Sequence, residues 1–91
     1  MRGSGVNLPS VPRVQVLYWQ HVPSLVRAGE AKRQLPDWFQ QEIDRVAMEQ
    51  GLHGSDAYLE HWEWRDLGER DGADEDVAAA VEAELVAAYE T

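Results

Sequence analysis

The chain has no cysteine among its 91 residues, so no disulfide, thiolate metal site or cysteine nucleophile is available to it. A chain of this length buries only about two thirds of its unfolded surface, which limits it to one compact core. Small secreted domains often depend on disulfides, so the lack of cysteine favours a reducing, cytoplasmic location. We predict a single domain over residues 13–91 and a disordered lead-in over residues 1–12, whose opening Met-Arg-Gly-Ser-Gly resembles an expression-vector remnant.

The charge balance is strongly acidic, with a formal net charge of −9. Eight acidic residues lie between Glu60 and Asp76, where the only basic residues are Arg65 and Arg70. Nucleic acids and anionic lipids are bound by Lys and Arg side chains that neutralise phosphates, so this balance argues against both as ligands. The longest apolar runs, such as residues 14–19, are also far shorter than the roughly 20 residues of a membrane-spanning helix. We expect a protein partner.

Three segments have the composition of strands. Residues 14–20 are rich in valine and aromatic side chains on both faces, which predicts a central strand. Residues 25–33 predict a second, more polar strand that pairs antiparallel with the first and carries Gly29 as a bulge or bend. Residues 61–67 predict a third strand, on which Trp62 and Trp64 share one face.

Two segments have the pattern of helices. From Pro36 onward the apolar period is about 3.6 residues, which predicts a helix that ends in a Schellman motif at Gly51 and Leu52. Ser55 is placed to cap a single helical turn at residues 57–59. An alanine-rich helix is predicted from about Glu75 to Tyr89, with Asp74 as its cap.

The order β-β-α-β-α predicts an α+β domain with a three-stranded, mostly antiparallel sheet. The first strand would lie in the middle, and a right-handed crossover would place the third strand parallel to the second. Both helices would then lie on one face of the sheet. We expect the opposite face to be left uncovered by this chain and available for contact with another molecule.

The same residues carry a resemblance to a known family. The matching segments are Val16-Leu17-Tyr18-Trp19-Gln20, Val22-Pro23, residues 35–48, Gly51-Leu52 and Ser55-Asp56-Ala57-Tyr58-Leu59. They resemble, in the same order, the strand, turn, helix and Asp-Ala-Tyr-Leu segment of the small bacterial domain family called virulence factor. The resemblance covers roughly residues 14–64 and implies an accessory or binding role, because members also occur beside scaffold-type segments in longer proteins. It brings no catalytic residues.

Two kinds of candidate site follow from the residues. His21, His53 and His61 would meet at one end of the predicted sheet, where with nearby carboxylates they could hold a divalent metal ion. No His-Glu-x-x-His pair, Gly-x-Ser-x-Gly elbow or phosphate-binding glycine loop is present, so no cofactor is predicted and the sequence supports no enzyme class.

Tryptophan is the other candidate, since four in 91 residues are many and tryptophan is enriched at binding hot spots. We predict that Trp19, Trp38, Trp62 and Trp64 contribute to partner binding. The leading hypothesis is a non-enzymatic protein-interaction or accessory module that uses an aromatic sheet face to bind a partner or to form a homodimer. The alternative is a small metal- or ligand-binding domain built on the histidines.

Overall fold

A computed structural model of the chain describes residues 11–52, 54 and 56–90. Most of the predicted lead-in, residues 1–10, lies outside this description, as do His53 and Ser55. The described part folds into four strands and three helices. In chain order they are β1 (Arg13–Trp19), β2 (Val22–Ala28), β3 (Ala31–Gln34), α1 (Asp37–Glu49), α2 (Asp56–Glu60), β4 (Trp62–Glu69) and α3 (Asp74–Glu90).

The α+β class is confirmed, but the predicted count of three strands and two helices is wrong. The segment predicted as one strand with a bend is a hairpin, in which β2 and β3 are joined by a turn at Gly29 and Glu30. Gly29 has a φ of 59°, and a positive φ at the first central residue alone is the pattern of a type II′ turn. Such a turn reverses the chain within two residues, so the segment contributes two strands to the sheet.

The strand order in the sheet is β3-β2-β1-β4, and every neighbouring pair is antiparallel. β1 lies between β2 and β4, which makes those two strands parallel to each other, as the element order predicts. The pairing is irregular at two points. Ser24 is an extra residue in β2 opposite the Leu17–Tyr18 step, and Leu67 is an extra residue in β4 opposite the Val14–Gln15 step.

α1 forms as its local signals predict. It begins immediately after Pro36, whose fixed φ suits a helix start, and it buries an apolar stripe that includes Phe39 and Ile43. At its end the N–H groups of Gly51 and Leu52 donate to the carbonyls of Met48 and Ala47, 3.1 and 2.8 Å away. These two bonds and the positive φ of Gly51, 72°, confirm the Schellman motif.

α3 begins at Asp74, one residue earlier than predicted. The Asp74 carboxylate accepts a hydrogen bond at 3.0 Å from the backbone N–H of Glu30, so it bonds to the β2–β3 turn. Further along α3, Glu82 accepts a hydrogen bond at 2.6 Å from Nε of Arg33 on β3. These two contacts attach α3 to the β2–β3 hairpin.

The core is one apolar cluster to which β1, β2, α1 and α3 all contribute. The side chains of the cluster are Val14, Val16, Trp19, Val22, Val26, Ala28, Ala31, Leu35, Phe39, Ile43, Val46, Ala47, Val77, Ala78 and Val81.

No helix within the described ranges has both the length and the apolar character needed to cross a membrane.

Candidate interaction surface

The two faces of the sheet differ sharply in burial. On one face Val16 and Val26 are directly opposite each other and fully buried, so this face belongs to the core. The next row along the strands points to the other face, because side chains alternate along a strand. That row contains Leu17 on β1, Leu25 on β2 and Trp64 on β4, with Leu17 directly opposite the other two.

We call this second surface the open face. Leu17 and Leu25 are half-buried, and Trp64 is 45% exposed. Its remaining members are polar or charged, and each is half-buried or exposed. None of the described elements buries the open face, whose members are Gln15, Leu17, Leu25, Arg27, Lys32, Gln34, Trp64 and Asp66.

Trp19 and Trp62 lie opposite each other near the β1–β2 turn, on the same side of the sheet as Leu17 and Trp64, and α2 covers this end of that side. The prediction that this chain leaves the whole face uncovered is therefore wrong at this end. The Tyr58 ring lies 5.3 Å from the Trp19 ring and 6.2 Å from the Trp62 ring, centroid to centroid. Nε1 of Trp19 donates to the Tyr58 carbonyl at 2.7 Å. Trp19 has no exposed surface and Trp62 is half-buried, so the structure places Trp19 in the core and leaves Trp64 as the accessible indole of β4.

Trp38 lies apart from the open face, at the start of α1, and is 49% exposed. It borders a shallow apolar cavity of about 380 Å³ between the start of α1 and the end of α3. Tyr89 lies in the same cavity, where its hydroxyl donates to the carbonyl of His21 and burial raises its pKa. The cavity is lined by Pro36, Trp38, Phe39, Val86 and Tyr89.

Two of the three histidines, His21 and His61, lie near each other. The backbone N–H of Gln20 donates to the His61 carbonyl at 3.2 Å, so His21 and His61 are at the same end of the sheet, as predicted. His21 is exposed, and His61 is half-buried with its ring edge-on to Trp19 at 5.4 Å. His53 falls outside the described residues. Within the described ranges, no group of three or more His, Cys, Asp or Glu side chains could hold a metal ion.

At the β4 side of the open face, Asp66 forms an ion pair with Arg13 and a hydrogen bond with the backbone. Asp66 accepts a hydrogen bond at 2.7 Å from the backbone N–H of Gly68 and two bonds, at 2.9 and 2.7 Å, from Nη1 of Arg13. The Gly68 N–H and then the Arg13 guanidinium lower the pKa of the Asp66 carboxyl, because both stabilise its charged form. This carboxylate therefore stays ionised at the edge of the apolar row.

We expect Asp66→Asn to lower the melting temperature near neutral pH but not in acid. The folded-state pKa of this carboxyl is lower than its pKa in the unfolded chain, which is 3.8. The carboxylate therefore stabilises the folded state fully when the pH is above 3.8, and this contribution is lost as the pH falls through the folded-state pKa. Melting temperatures measured from pH 7 down to well below 3.8 should therefore converge for the two proteins. Asp71→Asn is the matched control. If the Asp66→Asn difference is unchanged across the range, the ion pair is not its source.

The model of a family described as "Virulence factor" matches residues 17–91, which is well over half of the chain. The chain belongs to the virulence factor family. The match confirms the resemblance seen in the sequence and extends it beyond residue 64, so the acidic turn and α3 are part of the virulence factor domain. Neither the search of curated proteins nor the search of solved structures found a match.

Sequence reasoning found Trp64 but missed its two neighbours on the open face. The sequence places Leu17 only within the central strand, and Leu25 only at the start of the more polar second strand. Their alignment with Trp64 depends on the register of β1 with β2 and β4, and the extra residue Ser24 shifts that register. A signal was present, since Leu17 and Leu25 are the only leucines of their strands and lie next to the middle of β1 and at the middle of β2.

Proposed function

We propose that this virulence factor domain is a protein-interaction module, without catalytic chemistry of its own, that docks a partner on the open face of its sheet. The observation that carries the proposal is the apolar row of Leu17, Leu25 and Trp64 across three adjacent strands. An antiparallel sheet with one face on the core normally presents polar side chains on the other face. A row of two leucines and an indole there favours contact with another apolar surface.

Trp64 is suited to supply most of the affinity. An indole that changes from 45% exposed to buried removes a large apolar area from water, and tryptophan is over-represented among residues that dominate binding energy. Leu17 and Leu25 would exclude water around it. The polar rim, with Arg27 and Lys32 at one end and Asp66 at the other, would orient the partner.

The charge of the chain favours a basic partner. The net charge of −9 and the acidic residues of β4 and its following turn attract a positively charged protein surface and speed its encounter at low salt. The affinity would still come from apolar burial. A chain without cysteine suits a reducing compartment, so we place this interaction in the cytoplasm.

Two exposed indoles of similar accessibility allow a matched test. Immobilised wild-type protein, Trp64→Ala and Trp38→Ala are used to capture proteins from the source cells, and circular dichroism verifies that each variant is folded. We expect the Trp64 change to weaken capture of the specific partner by about 30-fold or more, the effect of a hot-spot residue. Trp38→Ala should leave capture unchanged.

The opposite pattern locates the contact elsewhere. If the Trp38 change abolishes capture and the Trp64 change does not, the cavity beside α1 is the binding surface and the open-face proposal is wrong. Calorimetric titration of each variant with the purified partner then distinguishes a weaker affinity from a smaller amount of immobilised, folded variant. Binding should also weaken as salt is raised, because the charged rim contributes to the encounter.

A further inference from the structure

The outer edge of β4 is the longest unpaired strand edge among the described residues. β4 ends the strand order and pairs only with β1 there, and its residues 63–67 are all exposed. β3, at the opposite edge, is four residues long and carries Lys32, which are two of the devices that protect an edge from pairing. β4 is eight residues long and has neither lysine nor proline.

The direction of the backbone groups on β4 follows from one hydrogen bond. The His61 carbonyl accepts from Gln20 N–H, so the backbone groups of His61 point towards β1. Because this direction alternates along a strand, Trp62 and Trp64 present their N–H and C=O groups to the outer edge. These groups are available to a strand from another molecule.

We propose that a second copy of this chain pairs antiparallel along β4, with the two-fold axis at Trp64. The proposal goes beyond the proposed function, because it uses the outer edge of β4 and leaves the open face free to bind a partner. The two Trp64 residues would exchange backbone hydrogen bonds, and the sheets would join into one. The two open faces would then form a continuous surface with the two indoles side by side at its centre.

Charge selects this register over its neighbours. Opposed residues in a two-fold antiparallel pair share a face, so each register is defined by the residue that lies opposite itself. Registers centred on Glu63, Arg65 or Asp66 place that residue opposite its own like charge, which destabilises a strand pair. The register centred on Trp64 places Glu63 of each copy opposite Arg65 of the other, and it uses all of residues 62–66 before the bulge at Leu67.

Arg65 is already held in position for this contact. Its guanidinium carbon lies 4.3 Å from the centre of the Tyr18 ring, and Nη2 donates to the Gln20 carbonyl at 3.0 Å. The Glu63 side chain is 65% exposed, and its carboxylate lies 3.5 Å from Nε of Arg65 in the same strand. Pairing would add the Glu63 carboxylate of the second copy to an arginine that is already fixed.

Charge reversal tests the register. Sedimentation equilibrium over a concentration series should show a monomer–dimer equilibrium for the wild type. Glu63→Arg should raise the dimer dissociation constant by roughly tenfold or more. The new arginine of each copy would lie opposite Arg65 of the other copy, which creates two like-charge pairs. Glu75→Arg makes the same charge change on the exposed surface of α3 and should leave the constant unchanged. The double variant Glu63→Arg/Arg65→Glu should regain the dimer.

A cysteine probe gives a second readout that does not depend on charge. In the proposed register Glu63 of one copy and Arg65 of the other form a non-hydrogen-bonded pair, with Cα atoms about 4.5 Å apart, within the range of a disulfide. Since the chain lacks cysteine, a mixture of the Glu63→Cys and Arg65→Cys variants should form a mixed disulfide dimer under mild oxidation, whereas a mixture of Trp38→Cys and Arg65→Cys should form one much more slowly. Equal rates for the two mixtures overturn the proposal.

The remaining outcomes are equally decisive. A wild type that stays monomeric at every concentration overturns the dimer, while capture of a different protein through Trp64 would still support the proposed function. A dimer that Glu63→Arg does not weaken uses another surface. A folded double variant that remains monomeric overturns the Trp64-centred register.

Discussion

Trp19→Ala is expected to destabilise the domain by about 3–5 kcal/mol, the range for removing a large aromatic side chain from a core. Trp19 has no exposed surface and contacts Tyr58 and His61 through its ring. Its loss also leaves the Tyr58 carbonyl without the indole N–H that now donates to it at 2.7 Å. A domain of this size has a total stability of about 5–15 kcal/mol, so the change would remove a large share of it.

Denaturant unfolding followed by circular dichroism measures this effect. Trp64→Ala is the matched control, because it removes the same side chain from a 45% exposed site and should cost only about 1 kcal/mol. Trp19→Phe should fall between them, since it keeps most of the ring but not the N–H donor. Comparable losses at positions 19 and 64 would contradict the assignment of Trp19 to the core.

The contrast between Trp19 and Trp64 also shows what the sequence could predict of the candidate site. Both indoles follow the alternation of their strands, and that pattern correctly assigns the strands around them. Their burial depends on α2, which brings Tyr58 over Trp19 and Trp62 and does not reach Trp64. This contact joins residues 39 positions apart in the chain, so no local pattern contains it.

α1 was predictable because its signals are local. Pro36 at the start, an apolar stripe of period 3.6 and a Gly51–Leu52 stop all lie within the helix or next to it. The central position of β1 was predictable for a similar reason, since a strand that is apolar on both faces is suited to two strand neighbours. These elements fix the α+β class.

The β2–β3 hairpin was missed because its turn carries a weak signal. Asn-Gly or Asp-Gly between apolar strands predicts a tight hairpin, but the chain has Gly29-Glu30 between Ala28 and Ala31, followed by polar residues. A glycine within a polar segment fits a bulge as well as a turn. A tertiary contact favours the turn: the N–H of Glu30 donates a hydrogen bond to the Asp74 carboxylate of α3.

That contact makes Gly29→Ala the second change with a large expected effect, a loss of about 2–3 kcal/mol. An alanine Cβ at position 29 would clash with the Asp74 carboxylate, so the carboxylate would have to move and release the Glu30 N–H. Losing that bond costs about 0.5–1.5 kcal/mol. The left-handed backbone at φ 59° costs a residue with a Cβ about 1–2 kcal/mol more.

Gly51→Ala separates the two contributions. Gly51 has a similar φ of 72°, but no heavy atom lies within 4 Å of a Cβ placed there, so its change should show the backbone cost of about 1–2 kcal/mol alone. The free energy of unfolding of Gly29→Ala should be the lower of the two. In an Asp74→Ala background the Gly29 change should lose its excess, because the clash and the bond are both gone. An excess that persists there would mean that the turn is constrained by the backbone rather than by α3.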